Sequence, residues 1–296
     1  MTRVDAHAHV FRPAAVSPRG SDELAPHDRD APVEGFTAEL ERHGVDRAVL
    51  VPLDEHDDYV RECLASDPVR FAAVAVSSDA ERGRARGRHA ESVSDALDRR
   101  RAGFRFGGLR TTWLGEPGQD IRDSPALPML RWCADQGVVL WAYLPPDQFP
   151  LVDAVARELP DLAIALNHFG FSPADMRVDA HGRPWFASRL PDERVDAVCA
   201  LAAHPRMHVL VSGHYAVSQE DAPYSDLRGP TTRYLEAYGA DRVMWGSDMP
   251  WPAAAPGYGA LLDAIGSALD EAGSSAAERE LVLGGTASRL FALAPA

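Results

Sequence analysis

Residues 43–53 read HGVDRAVLVPL, a glycine-containing turn followed by a run of β-branched and apolar residues. The plan recurs in DPVRFAAVAV (67–76), DQGVVLWAYL (135–144), LPDLAIALNH (159–168) and GADRVMWGSD (239–248). Each reads as an entry loop feeding a short strand. These five strands are Arg47–Leu53, Phe71–Val76, Val138–Leu144, Leu162–Phe169 and Val243–Asp248. Three more β-rich runs, Val4–Val10, Phe104–Thr111 and His208–Tyr215, bring the number to eight. Amphipathic stretches lie between them, among them Phe36–His43, Ser92–Arg101, Pro128–Gln136, Leu151–Glu158, Arg194–His204 and Tyr258–Ala272, with Ala276–Leu293 as a closing helix. Alternating strands and helices give a parallel sheet, and eight such units imply closure into a (β/α)8 TIM barrel. No GxGxxG follows the first strand to recommend an open, doubly wound sheet. Such a barrel uses roughly 250 residues as one domain, so residues 1–296 are read as a single domain. Two long segments, Arg12–Gly35 and Phe171–Glu193, follow the carboxyl ends of strands and are expected to roof the site.

Composition narrows the chemistry. The 296 residues carry a formal charge of −14 and are 46% hydrophobic. An acidic surface argues against nucleic acid or an anionic membrane as partner. All 30 basic residues are Arg, because the chain has no Lys. Schiff-base catalysis, a Walker lysine and a carbamylated-lysine metal bridge are therefore excluded. Three scattered cysteines, Cys63, Cys133 and Cys199, form no CxxC and suit a reducing compartment. Without an apolar run near 20 residues or a signal-like start, the expectation is a cytoplasmic protein. Its partner is expected to be a small molecule, and homo-oligomerisation stays open. No GxSxG occurs either, so covalent catalysis has no obvious nucleophile.

Polar residues gather at strand ends. His7 and His9 in DAHAHV are two apart on a strand and share a face, which in a barrel is the interior near the carboxyl end. His168 in IALNHFG and Asp248 in VMWGSDMPW close apolar strands. A lone histidine there is often a packed core residue, but a glycine and a long loop follow His168, so its imidazole should face the mouth. An inward Asp on a buried strand is costly unless it is paired, binds a metal or works as a base.

These motifs resemble the amidohydrolase superfamily, in particular the branch holding pyrone-dicarboxylate and sugar-acid lactonases. The resemblance rests on DAHAHVF, HGVDRAVLVP, GGLR, NHFG and YGADRVMWGSDMPW, in that order over nearly the whole chain. It implies that His7 and His9 bind a divalent metal or the substrate carbonyl. It also implies that Asp248 binds that metal and deprotonates the attacking water, and that His168 polarises or positions the substrate. One departure matters. Metal-dependent relatives take a Lys or His from strand five, and here that strand offers only Trp141 and Tyr143. What remains is a mononuclear site, with zinc favoured and weakly held, or a metal-free one.

Arg110, ending strand four, could hold a substrate carboxylate bidentately. Trp113, Tyr143, Tyr215 and Trp251 could line the pocket, and His214 in VSGHY could contact substrate or donate a proton. The basic run Arg82–Arg88 reads as a solvated loop. The function expected is opening of a lactone, or related cyclic ester, of a small acidic metabolite by activated water. A non-oxidative decarboxylase on the same scaffold and a catalytically silent binding barrel are the rivals.

Overall fold

The structure is a computed structural model and describes residues 2–84 and 92–293. Ten strands are present among the described residues: β1 (Val4–Ala8), β2 (Arg47–Leu50), β3 (Phe71–Val76), β4 (Gly108–Thr111), β5 (Val139–Ala142), β6 (Ile164–Leu166), β7 (Met176–Val178), β8 (Pro184–Phe186), β9 (Met207–Val211) and β10 (Val243–Trp245). Eight of them form one parallel sheet in the order β1-β2-β3-β4-β5-β6-β9-β10. The chain just past β10 closes the ring on β1, with Asp248 N–H donating to His7 C=O at 2.8 Å and His9 N–H to Met249 C=O at 2.6 Å. This is the TIM barrel expected from the alternation of strands and helices. The pair β7 and β8 is a separate antiparallel hairpin inside the segment after β6.

Two apolar layers hold the barrel. Inside lie Val4, Val49, Val74, Trp141, Ala165, Leu210 and Met244. Outside, Leu50, Leu109, Leu140, Leu166 and Val209 face the helices. Strands covered on both sides need apolar residues on both faces, which is why the runs lack a polar alternation. Phe291, from the C-terminal helical segment, joins the inner layer and meets Trp141 at 5.5 Å between ring centroids. It seals the end of the barrel opposite the site.

Several elements differ from the sequence expectation. The strands are shorter, so His168 and Asp248 do not close strands, and His214 lies beyond the strand expected to contain it. His168 opens a 3-10 turn (His168–Gly170), Asp248 follows β10 by three residues, and His214 begins a short helix, His214–Val217. The apolar runs continue into turns because buried turns also need apolar residues. The closing stretch is three segments, Ala276–Glu280, Leu281–Gly285 and Thr286–Leu290, broken where Gly284 passes Thr2. Helices Asp58–Ser66 and Arg228–Tyr238 fill the intervals after β2 and β9. Residues 85–88 of the basic run lie outside the described residues.

Candidate active site

His7 and His9 reach the interior from β1, whose pairing with β2 shifts register between Asp5 and Ala8. Such irregularities re-aim side chains next to functional sites. Gly246 lets the chain after β10 approach, since a Cβ there would lie 2.9 Å from both Cβ and N of His7. Two residues before His7, Asp5 ties the strands together from behind. Its Oδ1 accepts from Ser247 N–H at 2.8 Å and His7 N–H at 3.2 Å, and its Oδ2 from the Tyr258 hydroxyl at 3.0 Å. Burial pushes this carboxyl up to about 6. Sequence reasoning overlooked Asp5, although the DAHAH motif contains it.

The acidic and basic groups then converge. His7 Nε2 lies 3.7 Å and His9 Nε2 3.5 Å from Asp248 Oδ1. The other Asp248 oxygen accepts a hydrogen bond from the Tyr215 hydroxyl. His9 Nδ1 must be the protonated nitrogen, because it sits 2.8 Å from the Val51 carbonyl, which can only accept. His9 Nε2 is the ring nitrogen that faces Asp248. His168 pairs Nδ1 with Ser212 Oγ at 3.0 Å, and its ring lies 5.0 Å from that of His7. His7, His168 and Asp248 offer ligand atoms all within 4.8 Å of one another. The sequence reading grouped His7, His9 and Asp248 as ligands; in the structure His168 joins His7 and Asp248.

His168 and Asp248 both adopt left-handed backbone, at φ 47° and 60°. Such conformations cost about 1–3 kcal/mol each in non-glycine residues and concentrate at functional sites. The protonation states fit metal binding. Burial holds His7 well below the usual imidazole range and lowers His168 in the same way. Burial alone would raise the Asp248 carboxyl, but His168, His7 and His9 turned toward it hold it below the ordinary carboxylate range. Neutral imidazoles and an ionised carboxylate are the forms that a divalent cation takes as ligands. Both ring nitrogens of His7 and Asp248 Oδ1 are buried with no hydrogen-bond partner among the described residues. Unpaired buried polar atoms are expensive, so this donor set fits a cation.

The wall opposite is supplied by β4, β5 and β6. Trp141 takes the inward place on β5 and stands edge-on to His7 at 5.9 Å. Tyr143 stands edge-on to His168 at 5.4 Å and carries the Arg110 guanidinium over its ring at 4.5 Å. Arg110 Nε has no partner among the described residues, and desolvation lowers the guanidinium's basicity. Tyr215, read as a pocket aromatic, bonds Asp248 through its hydroxyl. The His214 ring packs against Phe169 and Tyr224 at 5.2 and 5.9 Å, and burial lowers it to about 4. Trp113 carries Arg84 on its face at 5.2 Å.

Both long loops arch over the cluster. Arg29, from the loop after β1, donates to Gly182 C=O in the loop after β6 at 2.8 Å and covers Trp251 at 4.9 Å. Trp251 in turn meets His9 at 5.8 Å. Arg183, from the hairpin loop, pairs with Asp179 at 2.7 Å and lies over Tyr215.

Comparison with known proteins agrees with this geometry. Residues 4–293 match the family model described as amidohydrolase. The chain is 29% identical to the L-fucono-1,5-lactonase of Burkholderia ambifaria, covering 84% of this chain and 80% of that protein. It is 27% identical to the 4-sulfomuconolactone hydrolase of Rhizobium radiobacter, covering 83% and 75%. A solved Burkholderia multivorans amidohydrolase with bound zinc superposes with a TM-score of 0.73 at 25% identity, over 99% of this chain and 100% of that one. With the match spanning all eight barrel strands and both halves of the polar cluster, the chain belongs to the amidohydrolase family.

Proposed function

We propose that the protein opens a lactone of a small metabolite by adding water to its carbonyl. The observation that carries this is Asp248, an ionised carboxylate fixed at one oxygen by Tyr215 and presenting the other to His7 and His9, with His168 nearby. In this reading Asp248 Oδ1 takes the proton from the attacking water as its oxygen bonds to the lactone carbonyl carbon. The ring C–O bond then breaks, and Asp248 returns the proton to the departing oxygen. His9 Nε2 orients the reactants at the cluster's edge, and Arg110 anchors a carboxylate or other anionic group of the substrate through its planar fork. His7, His168 and Asp248 would hold a single divalent cation, and zinc suits two imidazoles with a carboxylate. When bound, that ion supplies Lewis-acid polarisation of a carbonyl and acidifies water. The lactone-named relatives support the reaction class. Three free thiols, two of them buried, suit a reducing, cytoplasmic setting.

The test is a panel of five- and six-membered lactones and aromatic acids, followed by pH-stat titration and by CO2 detection. Acid release from lactones without CO2 is the expected result. Release of CO2 from an aromatic acid, with no lactone consumed, would overturn the proposal in favour of decarboxylation.

A further inference from the structure

Asn167 immediately precedes the turn that carries His168, a place where an asparagine side chain ordinarily caps the turn. Here it makes no cap bond. The backbone is already engaged, with N–H donating to Ala142 C=O at 3.0 Å and C=O accepting from Gly170 N–H at 2.8 Å. The side chain is not. Asn167 is 2% exposed, and neither Nδ2 nor Oδ1 has a hydrogen-bond partner among the described residues.

Strand register shows where this amide lies. Ala163 and Ala165 belong to the barrel interior, and Ile164 and Leu166 to the layer against the helices. Asn167 has extended backbone, so the alternation continues and turns it inward. Ala142 pairs with Leu166, which puts Tyr143 and Asn167 at the next level of the wall. Tyr143 is the ring that faces His168 and carries Arg110.

We infer that Asn167 is a substrate-binding residue and that the substrate is a hydroxylated lactone. The inference rests on the lactonase reading above. A lactone carbonyl or a carboxylate can only accept, so either would engage Nδ2 and leave Oδ1 buried and unpaired. A hydroxyl donates to Oδ1, while it or a neighbouring oxygen accepts from Nδ2. A site built to bond a hydroxyl discriminates strongly against the analogue that lacks it.

The experiment uses ring-matched pairs: α-hydroxy-γ-butyrolactone against γ-butyrolactone, and glucono-δ-lactone against δ-valerolactone. The protein is expected to favour the hydroxylated member of at least one pair by about 100-fold in kcat/KM. Asn167→Leu, similar in volume, is expected to cut that preference by about tenfold or more, because the amide has gone. Calorimetric titration of the unaltered protein with gluconate and with pentanoate gives a readout free of turnover and of the variant's folding, and gluconate is expected to bind about tenfold tighter or more. Lactone hydrolysis without a hydroxyl preference, or a preference that survives Asn167→Leu, would overturn the inference and leave the lactonase reading standing. No turnover of any lactone together with tighter gluconate binding would support the hydroxyl site and sink the lactonase reading. No turnover together with equal binding would overturn both.

Discussion

Asp248 combines a left-handed backbone with a carboxylate held at one oxygen by Tyr215. Asp248→Asn keeps the shape and removes the base, so kcat on the true lactone is expected to fall at least about 100-fold. Circular dichroism should stay unchanged, and retained turnover would show that another group takes the water proton. Gly213 is a less obvious dependency. Its φ is 64°, and a Cβ there would lie 2.6 Å from His168 Nδ1. Gly213→Ala therefore displaces the imidazole from Ser212 Oγ and adds about 1–2 kcal/mol of backbone strain. The expected result is about a tenfold or greater loss of kcat with a lower melting temperature, and an unchanged rate would mean that the His168 ring position is immaterial. The sequence showed the histidines and Asp248 because each stands out against an apolar strand. Asp5 and Asn167 were illegible for a physical reason: their significance lies in partners that are distant or missing. Asp5 is defined by Ser247, 242 residues away, and Asn167 by a side chain that has no hydrogen-bond partner among the described residues.

Among the elements, the loop after β1 is organised by a single side chain. The Arg19 guanidinium donates to the carbonyls of Arg12, Gly20, Ala25, Pro26 and Arg29 while lying over Phe11. That knot positions Arg29 for its contact with Gly182. Arg29→Ala should leave the barrel intact and loosen the join between the two loops. Amide hydrogen exchange in residues 12–32 and 171–191 is expected to quicken about tenfold or more, with β1 to β6 unaffected. Unchanged exchange would mean that the loops are held elsewhere. The strands were legible because apolar runs and entry turns repeat, but the helices were less so. Asp58–Ser66 buries only Val60 and Cys63, a thin apolar face. Arg228–Tyr238 has Gly, Pro and two Thr directly after Arg228, all poor helix formers in an interior. Both helices exist because the barrel needs something to cover its strands.

At the level of the whole molecule, buried histidines set its tolerance of acid. His208 on β9 is 7% exposed, donates from Nδ1 to Arg206 C=O at 3.0 Å, and is lowered by burial to about 4. Its folded value lies below the ordinary 6.5, so protons bind the unfolded chain first. The stability that the neutral ring confers is complete above 6.5 and is lost as pH falls toward 4, by about 3 kcal/mol. His208→Asn should remove that part of the loss, so its melting temperature drops less than that of the unaltered protein between pH 7 and pH 4.5. Parallel curves for the two proteins would refute this. The −14 formal charge and the absence of lysine excluded whole classes of chemistry before any fold was considered.

The roof also has a kinetic consequence. His7, His9, His168 and Asp248 are at most 7% exposed, and the two loops above them are bonded to each other through Arg29. The prediction is that reactant and product pass only when these loops part. Admission and release would then be timed by a swinging motion of the polypeptide, and a fast chemical step would wait on it. Sucrose should then slow kcat in proportion to solvent viscosity, and Arg29→Ala should weaken that dependence. A kcat indifferent to viscosity in both proteins would place the slow step in bond making and breaking.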